Sequence, residues 1–175
     1  AAAKNLTPVV LELGGKSPCI IDKTANLKVA AKRVAWGKIL NAGQTCIAPD
    51  YLYIHEEVKE QFLSYLVKEW KELLTKQPQE ATHFARIVSD KAMERLVGYL
   101  ADGTIYHGGE YDKAERYLAP TILTDVRVDS AVMTEEIFGP IFPVITFKDI
   151  QEVITFVTER EKPLALYYFG TNGDY

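Results

Sequence analysis

The sequence predicts an α/β domain with three layers, in which a mostly parallel sheet lies between helices. Short apolar runs of strand length alternate with longer segments whose apolar residues recur every three or four positions. No internal repeat or low-complexity linker interrupts this alternation. Strands that alternate with helices form βαβ crossovers, which give parallel pairing and helices on both faces of the sheet.

The first half of the chain contains three short apolar runs and two helical patterns. The runs cover residues 9–11, 19–21 and 51–54, and we predict that each is a strand. The helical patterns cover residues 27–40 and 58–73, where the apolar side chains share one face. Since Cys19 lies within the second apolar run, we predict that its thiol packs in the core.

The second half contains two helix-capping signals and four strand-like runs. Ser89 predicts the N-cap of a helix that runs to about residue 100, and Asp149 with Glu152 predicts a capping box. The strand-like runs cover residues 104–106, 120–123, 141–147 and 164–169. Because Pro143 has no N–H to donate, we predict that its strand lies at a sheet edge or bulges there.

Composition and charge argue against several functional classes. The formal net charge is −4 and no long Lys/Arg run is present, so neither nucleic acid nor an anionic membrane is an expected partner. No apolar stretch approaches the roughly 20 residues that a membrane-spanning helix needs. Two cysteines without a disulfide framework or a signal-peptide pattern favour a cytoplasmic protein. The three histidines lie too far apart for a metal site, so we expect no metal.

The first candidate for chemistry is Cys46. It lies in an irregular stretch between Gly43 and Pro49. In open parallel sheets ligands bind at the carboxyl ends of strands, so we expect the reactive loops to follow strands. A thiol is only about 3% ionised at pH 7, but the thiolate is a strong nucleophile. The alternative is that Cys46 is a small buried apolar residue.

The second candidate is Glu12, which lies between two leucines at the end of an apolar run. Partial loss of hydration there raises the pKa of a carboxyl group and makes it a better base near neutrality. The alternative is a solvated or capping glutamate. The adjacent Gly14 and Gly15 allow a sharp turn and a close approach of a ligand to the backbone.

The third candidate is the peptide Glu-Glu-Ile-Phe-Gly-Pro at residues 135–140. A carboxylate can accept hydrogen bonds from a ribose diol, and an aromatic ring can pack against a flat ring. The alternative is a helix end followed by a turn. The chain contains no glycine-rich fingerprint that would hold the phosphates of a nucleotide.

Together these peptides resemble the aldehyde dehydrogenase superfamily. Residues 11–18 resemble its glutamate signature, residues 43–46 its cysteine signature, and residues 135–140 a third motif further along the chain. The 34-residue separation of Glu12 and Cys46 also fits. Finer features, among them Asp50-Tyr51 and the stretch 162–167, are most similar to the class 3 branch, which acts on fatty or aromatic aldehydes.

The resemblance implies a mechanism and a role for each residue. Cys46 attacks the aldehyde to give a thiohemiacetal, hydride passes to NAD or NADP, and a thioester remains. Glu12 then activates the water that hydrolyses the thioester. Glu136 holds the ribose on the nicotinamide side, Phe138 packs near the nicotinamide ring, and the Leu13 carbonyl positions the carboxamide.

The resemblance also implies that residues 1–175 are a truncated catalytic domain. We expect an N-terminal dinucleotide-binding domain and a C-terminal oligomerisation segment outside this sequence, and a homo-oligomer in the full-length protein. The 175 residues alone should not be a competent dehydrogenase, since the phosphate-binding part is missing.

Three other functions stay open at this point. In an acylating relative, coenzyme A rather than water takes the acyl group, although Glu12 argues against it. The second alternative is a non-catalytic binding or assembly domain. The third is a hydrolase with a Cys/His pair, for which no histidine lies near Cys46 in the sequence.

Overall fold

The computed structural model describes residues 2–11, 13–75 and 77–171 of the chain. Its main strands and helices are β1 (Pro18–Ile21), α1 (Leu27–Ile39), β2 (Tyr51–His55), α2 (Lys59–Leu74), α3 (Asp90–Tyr99), β3 (Thr104–His107), β4 (Tyr111–Asp112), β5 (Tyr117–Leu118), β6 (Thr121–Thr124), α4 (Ala131–Thr134), β7 (Ile141–Phe147), α5 (Ile150–Thr158) and β8 (Tyr167–Phe169). None of the helices within these ranges is both long and apolar enough to cross a membrane.

Six of these strands form one sheet in the order β3-β6-β7-β2-β1-β8. Four of the five pairings are parallel, and only β3 pairs antiparallel, with β6. Strands β4 and β5 form a separate two-stranded ribbon. The predicted mostly parallel α/β sheet is therefore confirmed.

The sheet separates two apolar cores, which makes the domain three-layered. On one face, Cys19 and Ile21 of β1 pack with residues of α1 and α2 such as Val34 and Phe62. On the other face, Ile20 packs in a cluster that includes residues of α3, α4 and α5. Alternate side chains of one strand thus enter different cores, as the pleat of a strand requires. The prediction that Cys19 is a core residue is confirmed, since it is fully buried.

The helix boundaries follow the predicted capping residues. The Ser89 hydroxyl accepts a hydrogen bond from the Ala92 N–H at 3.2 Å and begins α3. Asp149 and Glu152 form the predicted capping box of α5. Each side chain satisfies a backbone N–H that has no partner within the helix, which fixes where the helix begins.

Two predictions about strands are wrong. Residues 9–11 form no strand: Val10 is 91% exposed and Leu11 is 68% exposed, because none of the described residues covers or pairs with them. Strand β7 lies inside the sheet, not at its edge, although it contains Pro143. Pairing of β7 with β6 ends at Pro143, and pairing with β2 begins at Val144. The missing N–H therefore lies where β7 changes partner, which explains how an interior strand tolerates proline.

Candidate active site

The three candidate peptides lie at the amino ends of β1, β2 and β7. Gly14 and Gly15 precede β1, Cys46 precedes β2, and Glu136 and Phe138 precede β7. These strands are neighbours and run parallel, so their amino ends lie at the same end of the sheet. The prediction that the reactive loops follow strands is therefore wrong. Helices α1 and α4 return the chain to this end of the sheet. The loop from α1 into β2 carries Cys46, and the loop from α4 into β7 carries Glu136 and Phe138.

The loop that carries Cys46 begins with an unusual backbone. Asn41 and Ala42 have φ values of 51° and 53°, and Gly43 has a φ of 72°. A Cβ atom on Gly43 would collide with the Gly139 carbonyl, so only glycine fits where the two loops meet. The cysteine loop therefore packs directly on the loop that contains Glu136.

Gln44 holds this loop in place from its buried side chain. Its Nε2 donates to the Asn41 and Arg86 carbonyls, both at 3.0 Å, and its Oε1 accepts from the Val88 N–H at 2.8 Å. Asn41 in turn donates from Nδ2 to the Gln44 carbonyl at 2.9 Å. The residue two positions before Cys46 is thereby fixed to a distant segment, as a preorganised site requires.

The two thiols lie in different environments. Cys46 is partly exposed, whereas Cys19 is fully buried and burial raises the pKa of its thiol. Thiolates form more readily at accessible positions than in an apolar core. Of the two, Cys46 is the one that an external reagent can reach.

Tyr167 lies beside the cysteine loop, although sequence reasoning gave it no role. Its hydroxyl donates to the Ile47 carbonyl at 2.5 Å. Burial raises the pKa of Tyr167. Tyr167 reaches this position because it pairs with Cys19 across the sheet, a contact between residues 148 positions apart that no local pattern indicates.

Glu136 lies against the glycine pair, a contact that the sequence analysis did not predict. Its Oε1 accepts a hydrogen bond from the Gly15 N–H at 3.1 Å. Gly14 has a φ of 80°, and a Cβ atom there would collide with the carboxylate of Glu136. Leu13, Gly14, Gly15 and Glu136 line one cavity of about 510 Å³.

The neighbouring Glu135 does not line this cavity. Its Oε2 accepts a hydrogen bond from the Tyr99 hydroxyl at 2.6 Å. Arg95 donates to the Tyr99 hydroxyl at 2.8 Å and to the carbonyls of Glu136 and Ile137 at 3.0 and 2.9 Å. Residues of α3 thus bond to the backbone of this loop and to the carboxylate of Glu135, whereas Glu136 lines the cavity.

Of the remaining predicted residues, Leu13 and Phe138 are described by the structure and Glu12 is not. Leu13 is 84% exposed and lines the cavity, whereas Phe138 is 37% exposed with a φ of 49° and does not line it. Glu12 lies outside the described residues, so its predicted role remains a prediction. The expectation of an apolar strand around it is wrong for its described neighbours, which form no strand and are exposed.

Lys16, Lys38 and Asp50 form a largely buried charged cluster that the sequence analysis missed, and Lys16 also lines the cavity that Glu136 faces. Lys16 Nζ and Asp50 Oδ1 are 2.5 Å apart. Lys38 is fully buried and donates to the Pro49 carbonyl at 2.9 Å, and burial lowers its pKa to about 7. Buried charges with partners are unusual, and they often mark a site where geometry matters.

The histidines lie elsewhere. His55 is at the carboxyl end of β2, the opposite end of that strand from Cys46. His83 bonds to the Leu73 carbonyl, and His107 stacks on Trp70. These contacts do not favour a Cys/His pair.

Known proteins of similar sequence match nearly the whole chain. A family model described as "Aldehyde dehydrogenase family" matches residues 1–174. "Aldehyde dehydrogenase, dimeric NADP-preferring" from Rattus norvegicus is 47% identical over 98% of this chain and 38% of its own length. "Aldehyde dehydrogenase family 3 member A2" from Mus musculus is 50% identical over 98% of this chain and 36% of its own length.

A solved structure shares the fold closely. The structure described as "Substrate bound state of Staphylococcus Aureus AldH" superimposes with a TM-score of 0.95 at 46% identity, over 99% of this chain and 38% of that one. This chain therefore spans little more than a third of the length of the relatives that it matches.

Proposed function

Because the chain belongs to the aldehyde dehydrogenase family, we propose that it carries the reacting thiol of an enzyme that oxidises an aldehyde to a carboxylic acid with NAD or NADP. The similarity to family 3 members agrees with the class 3 resemblance of the sequence. One observation carries the proposal. Cys46 is a partly exposed thiol in a braced loop, and the loop that packs on it presents Glu136 to a cavity.

Cys46 is the nucleophile in this proposal. Its thiolate sulfur bonds to the aldehyde carbon, and the carbonyl electron pair moves to oxygen to give a thiohemiacetal oxyanion. The oxyanion re-forms its carbonyl as hydride leaves, so a thioester remains on Cys46. The covalent route divides one difficult oxidation into two easier steps.

Glu12 is the proposed base for the second step. It takes a proton from water while the water oxygen attacks the thioester carbon, and the C–S bond breaks to return the thiolate and release the acid. Leu13, the residue after Glu12 in the sequence, lines the cavity that Glu136 faces.

The residues of the cavity fit a nicotinamide dinucleotide. When bound, the dinucleotide accepts the hydride. Glu136 would hold the ribose diol, because its carboxylate uses one lone pair on Gly15 and has others free to accept hydroxyl donors. The Leu13 carbonyl would position the carboxamide. We also propose, from the resemblance of the sequence, that Phe138 packs near the ring, although it does not line the cavity. The described residues around the cavity supply no phosphate-binding glycine loop.

The length of the relatives supports a larger enzyme. We infer that residues 1–175 are a truncated catalytic domain, and that a dinucleotide-binding domain and an oligomerisation segment lie outside it. The word "dimeric" in the name of the rat relative supports a homo-oligomer. We infer a cytoplasmic location from the two cysteines without a disulfide framework. The 175-residue chain alone should then show no reduction of NAD by an aldehyde.

Product analysis of the complete gene product tests the proposed function. We expect an aldehyde and NAD or NADP to give the carboxylic acid in equal amount to reduced cofactor, without coenzyme A. Formation of an acyl-coenzyme A, and only when coenzyme A is present, would identify an acylating enzyme instead. Absence of turnover with every aldehyde tried would identify a non-catalytic domain.

A further inference from the structure

Asp50 links the cysteine loop to the loop of Glu136. It follows Cys46 by four residues and is 4% exposed. Its Oδ2 accepts a hydrogen bond from the Ile137 N–H at 2.9 Å, and Ile137 is the residue directly after Glu136. Its backbone N–H donates to the Ser17 carbonyl at 2.8 Å. One buried residue therefore joins the starts of three neighbouring strands.

Lys16 completes this link from the glycine segment. Its Nζ donates to Asp50 Oδ1 at 2.5 Å, to the Val132 carbonyl at 2.8 Å and to the Glu135 carbonyl at 2.7 Å. An ammonium group has three N–H donors, so all of them are satisfied. Burial lowers the pKa of Lys16, and the negative charge of Asp50 opposes that shift.

Together the two residues bracket Glu136. Lys16 follows Gly15, whose N–H bonds to the Glu136 carboxylate, and it also bonds to the carbonyl directly before Glu136. Asp50 bonds to the N–H directly after Glu136. A fully satisfied buried polar network makes the segments that it joins rigid. Glu136 is therefore fixed relative to the start of β2, which the Cys46 loop enters.

We propose that Lys16 and Asp50 are positioning residues that fix Glu136, and through it the bound cofactor, relative to the Cys46 thiol. The inference rests on the proposed function, in which Glu136 holds the ribose. Their side chains bond to each other and to the backbone of residues 132, 135 and 137, not to Cys46, and Lys16 also lines the cavity. Their effect passes through the backbone on both sides of Glu136.

A purely structural ion pair would have different consequences. A buried ion pair stabilises a fold no better, in many proteins, than apolar residues of similar volume. Removal of one partner would lower the stability of the domain, because the other charge is left without a partner. It would not act on cofactor binding through one particular carboxylate. The two roles are therefore separated by whether the effect depends on Glu136.

The first measurement compares cofactor affinity in the complete gene product. We expect Asp50→Asn and Lys16→Met each to raise the Kd for NAD or NADP roughly tenfold, since each removes a charge-assisted contact that holds the site. Alkylation of Cys46 by iodoacetamide without cofactor should change by less than about twofold, because the cysteine loop keeps its own bonds to Gln44. Lys68→Met, which removes the exposed Lys68–Glu72 pair, is the matched control and should leave the Kd unchanged.

The second measurement repeats both substitutions in a Glu136→Ala background. If Lys16 and Asp50 act through Glu136, neither should raise the Kd further there, because residues that act as one unit are not additive. An equal increase in both backgrounds, or an unchanged Kd in the single variants, would overturn the proposal. If Asp50→Asn does not fold, Lys16→Met alone decides the question. Inactivity of the unsubstituted protein would instead count against the proposed function.

Discussion

The two cysteines of this chain show how position in the fold decides what a thiol can do. Cys19 lies inside β1, fully buried between helices α1 and α2 and the sheet, where burial raises the pKa of its thiol. Cys46 lies in the loop before β2 and is partly exposed. The first environment suppresses the thiolate and excludes reagents, whereas the second gives access to a fixed thiol.

The largest expected effect is that of replacing the exposed thiol. We expect Cys46→Ser to lower kcat for aldehyde oxidation by about 10⁴-fold or more, because loss of a covalent nucleophile typically has effects of that order. The measurement is cofactor reduction by the complete gene product. Cys19→Ser is its matched control, and retention of more than a tenth of the activity by Cys46→Ser would contradict the assignment.

The second expected effect concerns Lys38, which is fully buried and bonds to the Pro49 carbonyl. Its pKa is lowered from 10.5 to about 7, so the folded state binds a proton less tightly than the unfolded state. Stability from this residue is therefore lowest below pH 7 and rises as the pH rises toward 10.5, by at most about 1.4 kcal/mol per unit.

Lys38→Met tests this linkage in urea unfolding at several pH values. We expect the free energy of unfolding of the unsubstituted protein to rise from pH 7 to 10 relative to that of Lys38→Met. A constant difference across this range would show that the folded protein does not lower the pKa of Lys38. Lys68→Met is the exposed control and should give a constant difference.

The third expected effect is that of a polar group in the core. Cys19→Ser places a hydroxyl among apolar side chains of α1, α2 and the sheet. We expect a loss of about 2 kcal/mol in stability, because a buried hydroxyl without a partner has a cost of that order. Thermal unfolding measures the loss, and an unchanged Tm would show that the hydroxyl finds a partner.

The smallest expected effect concerns the brace of the cysteine loop. Gln44→Ala removes two hydrogen bonds that join this loop to residues 86 and 88, and one within the loop, to residue 41. We expect a stability loss of about 1–2 kcal/mol and a several-fold lower kcat, since the thiol is then held less firmly. Gln61→Ala, on the exposed face of α2, is the control and should change neither.

Local patterns predicted most of the elements of this fold. The caps at Ser89 and Asp149 and the amphipathic helices rest on contacts between near neighbours, which a sequence displays directly. The Pro143 prediction failed because it depends on which strand bonds on which side, and this is set by sheet order. Residues 9–11 are apolar but unpaired in the described chain, which periodicity alone cannot reveal.

The sequence supplied candidate residues for the site but not their arrangement. Motifs indicated Cys46 and Glu136 as candidates, and the structure places both near the amino ends of neighbouring strands. The expected end of the sheet was wrong. The general rule for parallel sheets places ligand sites in loops that follow strands, whereas these loops precede strands. The contacts of Lys16 with Asp50 and of Tyr167 with Ile47 span 34 and 120 residues, so only the folded chain brings them together.

The most direct test of the central claim is the relative reactivity of the two thiols. The folded protein is treated with limiting iodoacetamide, and peptide mass spectrometry follows modification of Cys46 and Cys19 over time. We predict that Cys46 reacts at least about a hundred times faster than Cys19, because Cys46 is partly exposed whereas Cys19 is fully buried. Equally slow modification of both residues would contradict the account.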